Sequence, residues 1–295
     1  MRAELRSRLG EILGSSVAHC RGVSGGDIGE SSVVELAGGE RLFLKCYPGA
    51  APGMASAEAR GLGWLAEARA LRTPQVRAHG EAQDGLPAFL ALEWIETGGP
   101  GADYAADYAE ELGRGLAALH RTGAAGFGFA EDNFIGRLPQ SNRRHESWVE
   151  FYAEERLGAQ LDMARQAGRL PGRVAAALES LIEELPSLCG PEEAPARLHG
   201  DLWGGNALVD PAGRPCLIDP AVYGGHREVD LAMMRLFGGF DRRVFAAYDE
   251  AWPLAPGHRE RVDLYQLYPL LVHVNLFGGS YVGSLEGAIR GARGR

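Results

Sequence analysis

The chain has 295 residues, 45% of them hydrophobic, and a formal net charge of −9. This composition supports full cores in a globular protein of roughly two domains, while the acidic balance without clustered Lys and Arg argues against a general nucleic-acid partner. No uncharged apolar run approaches the ~20 residues of a membrane span, so we expect no membrane association.

The N-terminal segment is predicted to be a helix of the folded domain. Charged residues occur throughout positions 1–10, which excludes the apolar core of a secretory signal. Leu5, Leu9, Ile12 and Leu13 instead fit one helix face.

Cysteine usage indicates a reducing compartment. The four cysteines are scattered and include no C-x-x-C pair, a pattern typical of free thiols rather than of a disulfide framework or a zinc site. We therefore expect a cytoplasmic protein. The cysteines are Cys20, Cys46, Cys189 and Cys216.

A glycine-rich stretch comes next, at positions 23–29. Its backbone N–H groups at Ser24, Gly25 and Gly26 could approach phosphates closely, because glycine permits backbone angles that other residues avoid. Taken alone the signal is weak, since most glycine clusters only form turns.

Two strands and a helix follow this stretch. Residues 31–36 and 41–45 read as a hairpin whose glycine-containing turn lies between them, and Lys45 ends the second strand. The helical segment 55–68 then offers Glu58.

A buried strand at 89–95 runs into a Gly- and Pro-containing linker, where we place a domain boundary between residues 96 and 97. From Asp103, a plausible N-cap, the pattern turns helical, with Gly123 just past the end of the first helix. Further helices are predicted at 146–165, 173–185, 230–236, 242–251 and 260–277.

The most informative segment is 198–206, which contains Asp201 and Asn206 at the spacing of the kinase catalytic loop. A turn-forming hairpin leads from it to Asp219 at the end of a short apolar strand, where kinases keep a magnesium-binding aspartate. Asp201 is suited to accept the proton of an acceptor hydroxyl, and Asn206 and Asp219 are suited to bind Mg²⁺. For His199 we favour a structural role in bracing the loop over proton transfer.

A kinase site also needs a nucleotide half. Lys45 and Glu58 fit the pair that positions the α- and β-phosphates of ATP, although an exposed glutamate is an equally good reading of Glu58. Backbone groups at Glu93, Trp94 and Ile95 would meet adenine at the hinge. The predicted fold is therefore α+β and protein-kinase-like: residues 1–96 form a nucleotide-binding lobe with an antiparallel sheet and one main helix, and residues 97–295 form a mostly helical catalytic lobe.

Beyond these kinase features, the chain resembles the fructosamine kinase (ketosamine-3-kinase) family along nearly its whole length. The segments that carry the resemblance are 127–136, 148–161, 199–206, 218–233, 237–240 and 264–268. Aminoglycoside and choline kinases are similar in the His-x-Asp motif and the later aspartate, but they are not expected to share Trp203 or the Tyr-Gly-Gly-His stretch at 223–226.

The resemblance implies ATP- and Mg²⁺-dependent phosphorylation of the C3 hydroxyl of a ketosamine, a deglycation repair activity. Carried over by motif, Asp201 is the base and Trp203 packs against the sugar. His273 and Asn275 match a substrate-side stretch that is richer in aromatic and histidine residues in relatives, so a core position for His273 is nearly as good a reading.

The implied partners are ATP and a free or protein-bound ketosamine, for a monomeric enzyme. Two rival functions stay open at this point. One is a kinase for another small molecule, such as an aminoglycoside or choline, and the other is a catalytically silent nucleotide-binding module.

Overall fold

The computed structural model describes residues 2–23, 29–98 and 104–294, with the side chains of residues 104–106 left aside. Its N-terminal part is an antiparallel sheet with two helices. Five strands are arranged in the order β1-β2-β3-β5-β4. The elements are α1 (Ala3–Leu13), β1 (Val17–Gly22), β2 (Glu30–Leu36), β3 (Arg41–Tyr47), α2 (Met54–Glu67), β4 (Val76–Gly80) and β5 (Ala88–Glu93).

The alternation of side chains along β3 separates the core from the cleft. Successive residues of a strand point to opposite faces, so Leu42 and Leu44 are buried with α1 on one side of the sheet. Phe43, Lys45 and Tyr47 consequently lie on the other side, where Tyr47 packs in a cluster with residues of α2. The strand thereby presents Lys45 to the helix that carries Glu58.

The C-terminal part is mostly helical, which confirms the predicted α+β class. It contains short hairpins between longer helices. The elements are α3 (Tyr104–Arg121), β6 (Asn133–Ile135), β7 (Leu138–Gln140), α4 (Trp148–Phe151), a π-helical segment (Tyr152–Gly158), α5 (Ala159–Gln166), α6 (Gly172–Leu188), β8 (Ala196–Leu198), a 3₁₀ turn (Gly204–Asn206), β9 (Ala207–Val209), β10 (Pro215–Leu217), β11 (Tyr223–Gly225), α7 (Glu228–Leu236), α8 (Arg242–Ala251), α9 (Val262–Phe277), a 3₁₀ turn (Gly279–Tyr281) and α10 (Val282–Ala292).

The helix predicted at 146–165 differs from the structure in one respect. Its middle is π-helical, over Tyr152–Gly158, between the α-helical pieces α4 and α5. Gly158 fits this geometry because a β-carbon there would lie 2.8 Å from the carbonyl oxygen of Ala153, five residues earlier. Apolar periodicity does not reveal such a register change, since it shifts the helix face by only one residue.

The N-terminal and C-terminal parts of the fold meet at two places, along α2 and at the end of strand β5. A β-carbon at Gly61 of α2 would lie 3.3 Å from Pro220, so the helix packs directly on the segment that follows Asp219. Arg72 joins the other side, because its guanidinium binds Glu93 at 2.5 Å and Asp210 at 3.0 Å. These two sets of contacts therefore fix the N-terminal part of the fold against the C-terminal part.

Neither a membrane-spanning helix nor a disulfide occurs among the described residues. None of the described helices has the length and apolar character needed to cross a bilayer. The four cysteines are free, three of them buried and Cys20 half-buried.

Candidate active site

The predicted catalytic loop folds as a compact turn around the side chain of Asn206. Its Nδ2 donates to the main-chain oxygen of Asp201 at 2.8 Å and to the Asp201 carboxylate at 3.3 Å. Because the amide nitrogen is used in this way, the Oδ1 atom of Asn206 is the one available to a cation.

His199 braces this loop, as predicted. Its Nε2 is 2.9 Å from the carbonyl oxygen of Ile218, and its Nδ1 accepts the backbone N–H of Asp201 at 3.3 Å. Burial lowers the pKa of His199, which keeps the ring neutral and suits a Nε2–H donor and a Nδ1 acceptor. His199 thus ties the catalytic loop to the strand that leads to Asp219.

A buried carboxylate that sequence reasoning missed supports the same loop. Asp230 of α7 accepts the backbone N–H groups of His199 at 2.8 Å and Gly200 at 2.9 Å, and its Oδ2 lies 3.1 Å from Nε2 of His120. Burial opposes ionisation, but these hydrogen bonds and the nearby histidines hold the pKa of Asp230 below its ordinary value. The negative charge therefore persists and fixes the loop from beneath.

Asp219 adopts an unusual backbone conformation, with a φ of 54° in the left-handed region. For a residue other than glycine this conformation costs on the order of 1–3 kcal/mol and needs support from the surroundings. The carboxylate of this residue faces Lys45, whose Nζ lies 2.5 Å from Asp219 Oδ1.

Lys45 also pairs with Glu58, with Nζ 2.7 Å from Oε1. Tyr47, two residues further along β3, donates its hydroxyl to the other oxygen of Glu58 at 2.7 Å. Burial favours the neutral amine, but Glu58 and Asp219 outweigh it and raise the pKa of Lys45. The predicted Lys45–Glu58 pair is therefore present, and Tyr47 is an additional partner that periodicity could have suggested.

The Asp201 carboxyl has a strongly shifted acidity. Burial, together with the nearby negative charge of Asp219, raises its pKa to about 7, while the Asn206 hydrogen bond opposes the shift. A carboxylate with this pKa is a far better proton acceptor at neutral pH than an exposed aspartate.

These side chains line one cleft of about 420 Å³. Asp201, Asn206 and Asp219 come from the C-terminal part of the fold, and Lys45 and Glu58 come from β3 and α2. Further lining residues include Phe43, Tyr47, Met54, Ala57, Asn133, Phe134, Gly136, Trp203, Leu208 and Ile218. The volume suits a nucleotide-sized ligand together with part of an acceptor.

The donor set at the catalytic end suits a hard divalent cation. Asn206 offers an amide oxygen and Asp219 a carboxylate, which are the ligands that Mg²⁺ prefers. Asp219 lies close enough to Asp201 for its negative charge to raise the pKa of Asp201. A cation bound between such carboxylates would reduce their mutual repulsion.

The structure locates the other predicted nucleotide contacts only in part. Ser24, Gly25 and Gly26 lie outside the described residues. At the predicted hinge, the Glu93 side chain binds Arg72, and its backbone N–H donates to the Gln75 carbonyl at 2.8 Å. Adenine contacts by Trp94 and Ile95 stay predictions.

Trp203 is 40% exposed and borders the cleft. A β-carbon at Gly205 would lie 2.2 Å from the indole, so the ring folds back over its own loop only because residue 205 is glycine. The side chain is therefore a surface of the cleft rather than part of the core.

The two residues predicted on α9 have different surroundings. The ring of His273 lies 4.6 Å from that of Phe237 and 4.9 Å from that of Tyr281, in a partly exposed aromatic cluster. Asn275 is buried, and its amide donates to the main-chain oxygen and the Oε1 of Gln160 at 2.8 and 2.9 Å. Neither residue is among those that line the cleft, and Asn275 instead binds Gln160. The periodicity of a buried helix could not reveal this partner.

Comparisons with known proteins agree on one family. The family model described as "Fructosamine kinase" matches residues 1–292. A "Probable ketoamine kinase" from Synechocystis is 40% identical over 264 residues, covering 88% of this chain and 85% of that protein. The chloroplastic protein-ribulosamine 3-kinase of Arabidopsis thaliana is 38% identical, covering 89% and 78% of the two chains.

Solved structures are similar to this chain as well. The crystal structure of a "putative fructosamine-3-kinase" from Thermobifida fusca YX-ER1 superposes with a TM-score of 0.89 at 40% identity, covering 100% of both chains. An aminoglycoside phosphotransferase, APH(4)-Ia, shares the fold with a TM-score of 0.65 at 19% identity, covering 98% of each chain.

Proposed function

The chain belongs to the fructosamine kinase family, and from this membership and the geometry of the cleft we propose that it phosphorylates ketosamines with ATP. The observation that carries the proposal is the convergence of Lys45, Asp201, Asn206 and Asp219 on one cleft. The acceptor is the C3 hydroxyl of the sugar adduct. Its oxygen forms a bond to the γ-phosphorus while the bond between that phosphorus and the bridging oxygen breaks, and ADP leaves.

In this proposal Asp201 accepts the proton of the acceptor hydroxyl as the new bond forms. Its raised pKa supports the role, because a carboxyl with a pKa of about 7 is more basic than an ordinary aspartate and still has a large ionised fraction at neutral pH. Lys45, held by Glu58, neutralises charge on the nucleotide phosphates. Most of the catalytic effect then comes from positioning and electrostatics, as phosphoryl transfer requires.

Asn206 and Asp219 would hold the divalent cation, which we propose to be Mg²⁺. When bound, the cation neutralises charge on the β- and γ-phosphates. The position of Asp219 supports this assignment, since it lines the cleft together with Asn206.

The acceptor is proposed to lie against Trp203, with His273 and its aromatic neighbours beyond. Ribulosamine, erythrulosamine and fructosamine adducts on lysine side chains or free amines are the candidate substrates. The Arabidopsis relative, named for protein-bound ribulosamine, supports the first of these. We also propose a lobe boundary between residues 96 and 97, a monomeric state and a cytoplasmic location.

The decisive experiment is incubation with Mg²⁺-ATP and synthetic ribulose-, erythrulose- and fructose-lysine. Phosphorus NMR should show a product phosphorylated at C3 for at least one of the three. Phosphorylation of an aminoglycoside or choline with equal efficiency would overturn the ketosamine assignment, and nucleotide binding with no phosphorylated product from any acceptor would favour the catalytically silent reading.

A further inference from the structure

A fully buried arginine lies outside the catalytic set described above. Arg156, in the π-helical segment, has its guanidinium carbon 3.8 Å from the centre of the Tyr223 ring and 4.5 Å from that of Phe151. Within the described part of the chain, every hydrogen bond that this guanidinium donates ends on a neutral oxygen, and its Nε has no partner. Burying a cation without a carboxylate is costly, so an apolar side chain would fill this space more favourably.

The hydrogen bonds of Arg156 lead toward the cleft. Its Nη2 donates to Oδ1 of Asn142 at 2.8 Å, and Nδ2 of Asn142 donates to Oδ1 of Asn133 at 2.9 Å. Asn133 in turn donates from Nδ2 to the main-chain oxygen of Val222 at 2.8 Å. An unbroken chain of three bonds thus connects the buried cation to the backbone three residues after Asp219.

A second branch reaches the neighbouring peptide group. Gln140 donates from Nε2 both to Asn133 Oδ1 at 2.7 Å and to the main-chain oxygen of Ala221 at 3.1 Å. The orientation of its amide is set by the hydroxyl of Tyr268, which donates to Gln140 Oε1 at 2.5 Å. Both amide side chains are buried, so each of these bonds is shielded from water.

The segment held in this way follows a strained residue. Asp219 keeps its left-handed conformation only while its flanks are fixed. On the upstream side the backbone N–H of Ile218 donates to the Asn206 carbonyl at 3.0 Å. On the downstream side the carbonyls of Ala221 and Val222 are held by the network that ends at Arg156.

We propose that Arg156 is a positioning residue for the proposed cation site, acting through Asn142, Asn133 and Gln140 on the backbone that follows Asp219. The inference rests on the proposed function, because it assigns Asp219 to the cation. The positive charge polarises the chain of amides and makes each bond toward Val222 stronger. The π-helical turn serves to bring this guanidinium beneath the cleft.

The test compares binding of a non-hydrolysable ATP analogue with Mg²⁺ and with EDTA, by calorimetry, in Arg156→Met and Arg156→Lys. The ratio of the two affinities measures the contribution of the cation alone. Residues that orient metal ligands typically change affinity by about 10- to 100-fold when they are replaced, so the ratio should fall about tenfold in Arg156→Met and less in Arg156→Lys, which keeps the charge.

Tyr152→Phe is the matched control, because Tyr152 lies in the same π-helical segment and donates one buried hydrogen bond to the Leu264 carbonyl at 2.8 Å. It should lower the melting temperature without changing the affinity ratio. An unchanged ratio in folded Arg156→Met, or an equal loss in Tyr152→Phe, would overturn the proposal. Should Arg156→Met not fold, Asn142→Leu removes both the bond from Arg156 and the bond to Asn133, and the same two results decide.

This readout does not involve the acceptor. A wild-type protein that binds Mg²⁺-nucleotide but phosphorylates no ketosamine would therefore overturn the proposed function, while a lost Mg²⁺ dependence in Arg156→Met would still support the positioning role. The two proposals thus fail by different results.

Discussion

Lys45 and Asp219, which are 174 positions apart in the sequence, form a salt bridge across the cleft with Nζ 2.5 Å from Oδ1. The same ammonium binds Glu58, so one cation links β3, α2 and the residue proposed to hold Mg²⁺. A cation at Asp219 would share this carboxylate with Lys45. Nucleotide and metal binding are therefore expected to depend on each other.

Asp219→Ala should abolish the Mg²⁺-dependent part of nucleotide binding, because the only full negative charge among the two proposed protein ligands is lost. Calorimetry with ATP in the presence of Mg²⁺ and of EDTA measures it. Identical binding by the variant and the wild type under both conditions would place the cation elsewhere.

Asp201→Asn should lower kcat by about 10²- to 10⁴-fold, because it keeps the shape of the side chain but removes the base. The affinity for ATP should barely change. The hydrogen bond from Asn206 to the main-chain oxygen of residue 201 does not depend on the carboxylate and should preserve the loop. Steady-state kinetics and calorimetry test both parts; an unfolded variant that no longer binds ATP would instead assign Asp201 a structural role.

Trp203→Ala should lower kcat/KM for ketosamines, since a flat wall beside the acceptor hydroxyl would be lost. The indole is 40% exposed, so the melting temperature and basal ATP hydrolysis should stay close to those of the wild type. Trp203→Phe is the matched variant and should retain part of the activity. A parallel loss of stability and ATP hydrolysis in Trp203→Ala would show that the indole supports the fold instead.

A pH-dependent loss of stability is expected from His226, whose ring stacks on Tyr265 with centroids 5.2 Å apart. Burial lowers its pKa to about 4, whereas the unfolded chain takes up the proton near pH 6.5. Between these values the unfolded state binds more protons, so the free energy of unfolding falls as pH decreases, with a limiting slope of about 1.4 kcal/mol per pH unit.

His226→Gln removes this titration. Urea unfolding at several pH values between 4 and 7 should show a shallower dependence in the variant than in the wild type. Equal slopes in the two proteins would mean that His226 does not carry the effect.

The sequence predicts those parts of the candidate site whose residues are close together along the chain. Asp201, Asn206 and Asp219 lie on one loop and one hairpin, so their spacing alone brings them together. The pairing of Lys45 with Glu58 also follows from a strand and the helix after it. The period of two along β3 could have added Tyr47, which lies on the same face as Lys45.

Contacts between distant elements could not be predicted in this way. Asp230 supports a loop 30 residues earlier, and Asn275 binds Gln160, 115 residues away. Each of these polar residues lies in a mostly buried helix, and only the packing of the helices shows which partner it meets. The π-helical turn that places Arg156 leaves no recognisable mark in the apolar periodicity.

Gly205 is a position at which relatives of this protein could come to differ in the acceptor that they prefer. Any larger residue there would clash with the indole of Trp203 and displace it from its own loop. One substitution would thus reshape the surface proposed to meet the acceptor without altering Asp201, Asn206 or Asp219. Selection for shorter or longer sugars could act on this single position while the phosphoryl-transfer chemistry stayed intact.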